Sequence, residues 1–257
     1  MTQDPQAIYV YGIVAAQADF EIRSRGVANG AGPVRRIECG ALAALVTDVP
    51  AGPLAAARDL RAHWNVLEEA AAAATVLPVR FGTVMQSENA VREEILVPDN
   101  ERLTLLLREL EGKVQLSLKG FYDEELLMRE IVEHTPQVAR LRERVQRLPE
   151  AASYYDRIRL GEMVAAAVDR RRSEDADLVL QQLEPLAVAA TMEPPGTQHG
   201  AVDAAFLVER GRVDEFSEAV QRLARHVGDR LTLRYVGPLP PYSFAGEEEI
   251  AGSRAWG

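Results

Sequence analysis

At 257 residues the chain is long enough for one large domain or two ordinary ones, and 47% hydrophobic with 26% charged residues excludes a low-complexity or disordered chain. Its 29 basic residues against 39 acidic ones leave a net charge of −10, a surface that repels phosphate backbones and anionic lipid heads, so nucleic-acid and membrane-surface binding are excluded as general readings. Cys39 is the single cysteine, so no intrachain disulfide can form, and its apolar surroundings read as those of a buried structural thiol.

Met1 to Gln6 carries neither a basic segment nor an apolar one of signal-peptide type, and nowhere do about 18 apolar residues run together. A cytoplasmic protein that spans no membrane is expected. Ile8 to Val14, rich in β-branched and aromatic residues, predicts an opening strand. Asn29 to Pro33 is a turn cluster, and Val34 to Glu38 with Leu42 to Val49 predict a hairpin around Gly40. Leu54 to Ala74 predicts a helix whose apolar stripe is Leu60, Trp64, Leu67 and Ala71. Val76 to Met85 returns to strand, with Pro78 confining it to an edge or a bulge.

Ser87 is a candidate N-cap for a helix that Pro98 interrupts and that resumes to about Leu110 before Gly112. Lys113 to Phe121 alternates as a half-buried strand does. Asp123 to Glu133 and Gln137 to Arg147 are short helices. Glu150 to Leu183 predicts one of about 50 Å at roughly 1.5 Å per residue. Its stripe fades at Arg170 to Asp175, a run whose charges can pair at i, i+4 and which reads as a solvated stretch or, alternatively, a charged docking surface. Glu193-Pro194-Pro195-Gly196 ends the helical section. Strand Val202 to Val208, helix Val213 to Val227 and strand Arg230 to Tyr235 follow.

The pattern is α+β in two domains. Residues 1–112 form an N-terminal α+β domain. Residues 113–246 form a ferredoxin-like domain with an enlarged helical crossover, and 247–257 are a tail.

Reactive constellations are absent from the pattern. His63, His134, His199 and His226 show no metal-ligand spacing, and the glycines form no phosphate cradle, so neither a metal nor a cofactor is expected. Glu68-Glu69 and Glu93-Glu94 read as solvated helix faces. Trp64 reads as core, and His63 and Glu68 lie on different sides of their helix. In Leu77-Pro78-Val79-Arg80-Phe81-Gly82, the arginine is either paired with a carboxylate such as Glu68 or offered to a partner.

Taken together, several segments resemble one family. His63-x-x-Val66-x-Glu68 followed by Val76-Leu77-Pro78-Val79-Arg80-Phe81-Gly82-Thr83-Val84 resembles the central signature of the gas vesicle proteins GvpF and GvpL. Tyr9 to Val14 is similar to that family's first strand, and Gly112-Lys113-Val114 to its middle one. Gly237-Pro238-Leu239-Pro240-Pro241-Tyr242-Ser243-Phe244 looks like its C-terminal signature. The middle strand lacks the acidic residue and tryptophan the family often carries there, which loosens the assignment between GvpL and GvpF. The resemblance implies an accessory protein of the gas-filled shells, located with the gas vesicle in the cytoplasm and contacting the hydrophobic shell protein and other accessory proteins. It brings no catalytic residue. Arg80, Phe81, Pro240, Pro241, Tyr242 and Phe244 are the candidate partner-binding residues, with the Pro-Pro-Tyr segment equally readable as a cap on the sheet edge. A small-molecule sensor or enzyme of the dimeric α+β barrel type is the alternative, to be distinguished by a polar pocket with convergent ionisable groups.

Overall fold

The computed structural model describes residues 6–30, 32–50, 56–149, 152–197 and 199–245. They form a mixed α+β fold divided into two compact units, one made from residues up to Gln115 together with those from Gly237, the other from Leu116–Val236. The expected tail lies outside the described residues.

In the first unit, β1 (Gln6–Ala15), a helical turn α1 (Val27–Gly30), β2 (Arg35–Cys39), β3 (Leu42–Pro50) and α2 (Ala56–Ala73) are followed by two short strands, β4 (Val76–Pro78) and β5 (Val84–Met85). The sheet order is β2-β3-β1-β4, with β5 also on β1, and all its pairs are antiparallel. The expected single strand over 76–85 is thus two pieces on one edge, separated at Pro78, which has no N–H for the ladder. Beyond them α3 (Glu88–Ala90), capped by the Ser87 hydroxyl, widens into a π-helical stretch over Val91–Leu96, and α4 (Asn100–Glu109) follows. This helical segment packs on β1 and β3. α2 packs on β1 and β4, with Val66, Leu67 and Ala70 in a core that includes Tyr9, Tyr11, Val14, Ala43 and Leu45.

The register of β1 against β3 shifts between Val10 and Gly12, so Tyr11 is an extra residue in the ladder. A bulge of this kind flips the face that later residues present. It therefore lets Tyr9, Tyr11 and Val14 all join the core against α2. Gly12 is hemmed in by the neighbouring strand β4 and by a side chain of α2. A Cβ there would lie 2.9 Å from the Leu77 carbonyl oxygen, 2.9 Å from Val76 Cγ2 and 3.0 Å from Leu67 Cδ2.

The buried face of α2 is Asp59, His63, Val66, Leu67 and Ala70, whereas Leu60 is exposed and Trp64 half-buried. The expected stripe is thus rotated by about one residue, because the helix buries two polar side chains. Asp59 accepts the Ala28 N–H at 3.0 Å, and Glu69 accepts the backbone N–H groups of Arg23 and Ser24, each at 2.8 Å. These bonds tie the β1–β2 connection to α2. The Ser24 side chain, together with the backbone N–H groups of Arg23 and Ser24, holds the Glu69 carboxyl below the ordinary range. Cys39, expected to be buried, is half-exposed at the end of β2.

In the second unit, β6 (Lys113–Tyr122), α5 (Glu124–His134), α6 (Pro136–Arg147) and α7 (Tyr154–Leu183) lead to β7 (Ala189–Met192), β8 (Gly200–Glu209), α8 (Val213–Val227) and β9 (Leu231–Leu239). The sheet order is β7-β8-β6-β9. β7 was not expected, since Ala-Ala-Thr-Met carries little strand signal; it forms only as the antiparallel partner of β8. β8 is buried along nearly its whole length, and α7 and α8 pack on it. Phe206 of β8 meets Phe216 of α8 at 5.1 Å.

The run Arg170 to Asp175 is only partly solvated: Arg170, Ser173 and Glu174 are exposed, but Arg171 and Arg172 are half-buried. Asp175 is 2% exposed and accepts the Tyr122 hydroxyl at 2.7 Å and both terminal nitrogens of Arg230 at 2.5 and 3.0 Å. Arg230 Nε pairs with Glu130 at 2.9 Å, and Arg171 joins Glu130 at 2.8 Å and Asp175 at 3.7 Å. Burial opposes the Arg230 charge, but the Asp175 and Glu130 carboxylates outweigh it and raise the guanidinium above its ordinary range. Burial, reinforced by Asp175, pushes the Tyr122 hydroxyl up. The network clamps β6, α5, α7 and the turn that leads into β9 together.

Removing one member of such a set strands its partner's charge. Asp175→Asn is expected to destabilise the protein by about 3–5 kcal/mol, read from urea unfolding. Gly12→Ala is expected to cost about 1–3 kcal/mol through overpacking, seen as a lowered midpoint in thermal unfolding, while Gly161→Ala, with open space around it, lowers nothing.

Candidate functional site

The segments singled out in the sequence meet at one place in the first unit. β1 supplies Tyr9 and Tyr11, α2 supplies His63 and Trp64, the turn after β4 supplies Phe81 and Gly82, and the segment after β9 supplies Tyr242. His63, 1% exposed, has Nδ1 2.9 Å from the Tyr9 hydroxyl and Nε2 3.2 Å from the Tyr242 hydroxyl. The Gly82 N–H donates to the Tyr9 oxygen at 3.1 Å.

A neutral imidazole offers one donor and one acceptor. The assignment that leaves no buried hydroxyl proton unpaired runs from the Gly82 N–H to Tyr9 oxygen, from the Tyr9 O–H to His63 Nδ1, and from His63 Nε2–H to the Tyr242 oxygen. Protonating Nδ1 would reverse the Tyr9 bond and strand its proton. Desolvation by burial lowers the His63 pKa from 6.5 to about 4, and burial likewise pushes the Tyr9 hydroxyl up. Tyr11, also raised by burial, accepts the Val27 N–H at 2.9 Å.

Packing closes the knot. The His63 ring lies stacked near Tyr11 at 5.7 Å and edge-on to Phe81 at 5.7 Å, and Trp64 meets Tyr242 at 4.8 Å. The turn from Arg80 to Thr83 places Gly82 at φ +93°, a backbone region open mainly to glycine, which aims its N–H at Tyr9. Four of the family-like segments thus converge around the same buried imidazole, whereas Gly112-Lys113-Val114, at the start of β6, contributes no ring or donor to it.

Of the candidate residues, Phe81 is half-buried against the knot and Tyr242 bonded into it, while Pro240 and Pro241 are buried. Phe244 is half-buried at the end of a 3₁₀ turn, anchored by the Ser243 N–H on Gln115 Oε1 at 2.8 Å. Arg80 is exposed, and among the described residues neither it nor Glu68 makes an ion pair, so the expected Arg80–Glu68 pairing does not form. Tyr9 and His63 were missed as site residues. The usable signal was Asp59 and His63 at i, i+4, two polar side chains that can occupy one buried helix face.

The second unit carries a shallow cleft of about 470 Å³ lined by Arg171, Glu174, Asp175, Asp177, His226 and Arg230 among others. Its lining is polar and ionisable. Asp175 and Arg230, at its base, are spent on each other. Among the described residues no group of three metal-ligating side chains occurs, and no helix is long and apolar enough to cross a membrane.

His63 gives the knot a pH signature. Its folded pKa of about 4 lies below the ordinary 6.5, so between those values the unfolded chain binds the extra proton. The His63 contribution is complete above about pH 6.5, declines as pH falls and is gone near pH 4. It amounts to roughly 3 kcal/mol, since each tenfold difference in proton affinity is worth about 1.4 kcal/mol. Urea unfolding at pH 7, 5.5 and 4.5 is expected to show wild type losing stability more steeply than His63→Phe. Parallel pH profiles would refute a buried neutral His63.

The family model described as gas vesicle synthesis protein GvpL/GvpF matches residues 7–246. Gas vesicle protein F of Streptomyces sp. (strain CB03234) is 38% identical over 239 residues, covering 92% of this chain and 98% of that protein. Two crystal structures are similar in fold over 93% of this chain and 98% of theirs: GvpF of Anabaena sp. PCC7120, with a TM-score of 0.80 and 26% identity, and GvpF of Microcystis aeruginosa, with 0.74 and 28%. The motif residues that converge on His63 lie within the matched span, and the chain belongs to the GvpL/GvpF family of gas vesicle proteins.

Proposed function

We propose that this chain is an accessory protein of gas vesicle assembly that acts by binding other vesicle components, the apolar shell subunit among them. One observation carries the reading: the motif segments are consumed in a closed, mutually hydrogen-bonded knot that fixes the surface beside it. A rigid surface is what a binder needs, since little ordering is then lost on association. Along its border stand exposed Arg80, half-buried Phe81 and Trp64, Leu60 one helical turn before Trp64, and Val84 just after the turn. We assign the partner contact to Arg80 and Phe81. The buried Pro240 and Pro241, with Tyr242 and Phe244, hold that surface from beneath.

The second unit supports the binding reading as a scaffold. Its strand order β7-β8-β6-β9, with three helices between β6 and β7, accords with a ferredoxin-like unit whose first crossover is enlarged. A sensor or enzyme reading would draw on the polar cleft there. Against it, the cleft's innermost carboxylate and guanidinium neutralise one another, leaving outlying groups with no common focus.

Pull-down of each vesicle protein encoded beside this one tests the proposal. The shell subunit is expected to be retained by wild type and lost at least tenfold with Arg80→Glu/Phe81→Ala. Failure to associate with any vesicle component would overturn the proposal, and retention by the double variant would move the contact elsewhere.

A further inference from the structure

The corner where α6 gives way to α7 carries a surface that the fold leaves uncovered. Tyr155 is 83% exposed, Tyr154 61%, Ile158 46% and Leu148 39%. Tyr154 and Ile158 are four apart and Tyr155 and Ile158 three apart, so these side chains share one face of α7. The two tyrosine rings meet edge-on at 5.3 Å. Large aromatic side chains standing together in water are the usual anchors of protein interfaces.

The corner is also basic, and an ion pair links its two helices. The Arg144 guanidinium grips both carboxylate oxygens of Asp156, pinning α6 to the first turn of α7. Residues 136–159 hold six arginines against three acidic residues, so this stretch is positive by three in a chain whose net charge is −10. Arg147 is paired with Glu143. Arg140, Arg142 and Arg159 are exposed and make no ion pair among the described residues.

Charge decides what can sit there. Nucleic acid or an anionic membrane would extend past the corner and meet the rest of the second unit, whose residues 116–135 and 160–236 carry seven net negative charges. A second copy pairing through the same face would bring its arginines against these. We propose that the α6–α7 corner docks an acidic segment of a different protein, its carboxylates on Arg140, Arg142 and Arg159 and its apolar side chains on Tyr154, Tyr155 and Ile158. This second surface lies outside the motif knot and stands independently of the shell-binding assignment.

The probe is a labelled helical peptide with leucines on one face and glutamates on the other, titrated against the full chain by fluorescence anisotropy. A second peptide carries lysines in place of the glutamates. The glutamate peptide is expected to bind at least tenfold tighter than the lysine one and to weaken as salt rises. Tyr154→Ala/Tyr155→Ala and, separately, Arg140→Glu/Arg142→Glu should each weaken it at least tenfold, with unchanged far-ultraviolet circular dichroism. All four are exposed side chains, so folding is not at stake. Equal binding of the two peptides, no binding of either, or indifference to both double variants overturns the proposal. So does binding of phosphatidylserine vesicles at this corner, or a dimer in sedimentation that either variant dissolves.

Discussion

A buried imidazole is tolerated only where one neighbour can give a proton and another can take one, and the first unit is arranged around meeting that condition. Tyr9 satisfies Nδ1 because Gly82 has already occupied its oxygen, and Tyr242 satisfies Nε2. The demand reaches back into the backbone. Gly82 must take a positive φ to aim its N–H, and the ladder of β1 must admit an extra residue so that Val14 faces α2 along with Tyr9 and Tyr11. The backbone of β4, with Leu67 of α2 close above it, then requires glycine at position 12. Four separate stretches of chain are thus fixed by one ring.

The second unit is organised by the same logic with charges in place of a neutral ring. Asp175 and Glu130 divide the nitrogens of Arg230 between them, and Tyr122 completes the coordination of Asp175. Taking such charges out of water is costly, and their mutual attraction often does little more than offset that cost. Their value lies in direction: a guanidinium fork donates to two carboxylates at defined angles, so the helices and strands that bear them have one arrangement in which all are satisfied. The aromatic knot and the ion network therefore act as locators within their units, while apolar burial supplies most of the driving force.

Much of the fold was legible in the sequence because local chemistry governs it. The strand at Ile8, the hairpin at Gly40, the Ser87 cap and the helices after Asp123 each follow from propensity and punctuation. What was not legible depends on residues far apart in the chain. Asp175 and Arg230 are 55 positions apart, and nothing near either predicts that both are buried. His63 lies 54 residues from Tyr9 and 179 from Tyr242, so periodicity counted it as polar and turned the buried face of α2 by one residue. β7 has so weak a signal that only its ladder with β8 makes it a strand. The site was half legible: Phe81 and Tyr242 stood out, but the imidazole that joins them was passed over because its partners were out of view.

The return of the chain to the first unit at Gly237 has a consequence for biosynthesis. Translation delivers Tyr9 and His63 early, yet the hydroxyl that satisfies the second ring nitrogen arrives only when Tyr242 leaves the ribosome. Until then Trp64 lacks the ring that covers it, and the nascent first unit waits with an open flank while the second is being made. A polypeptide cut short anywhere before Tyr242 would carry that wound permanently, which makes closure of the knot a built-in check that the whole of the second unit has been made.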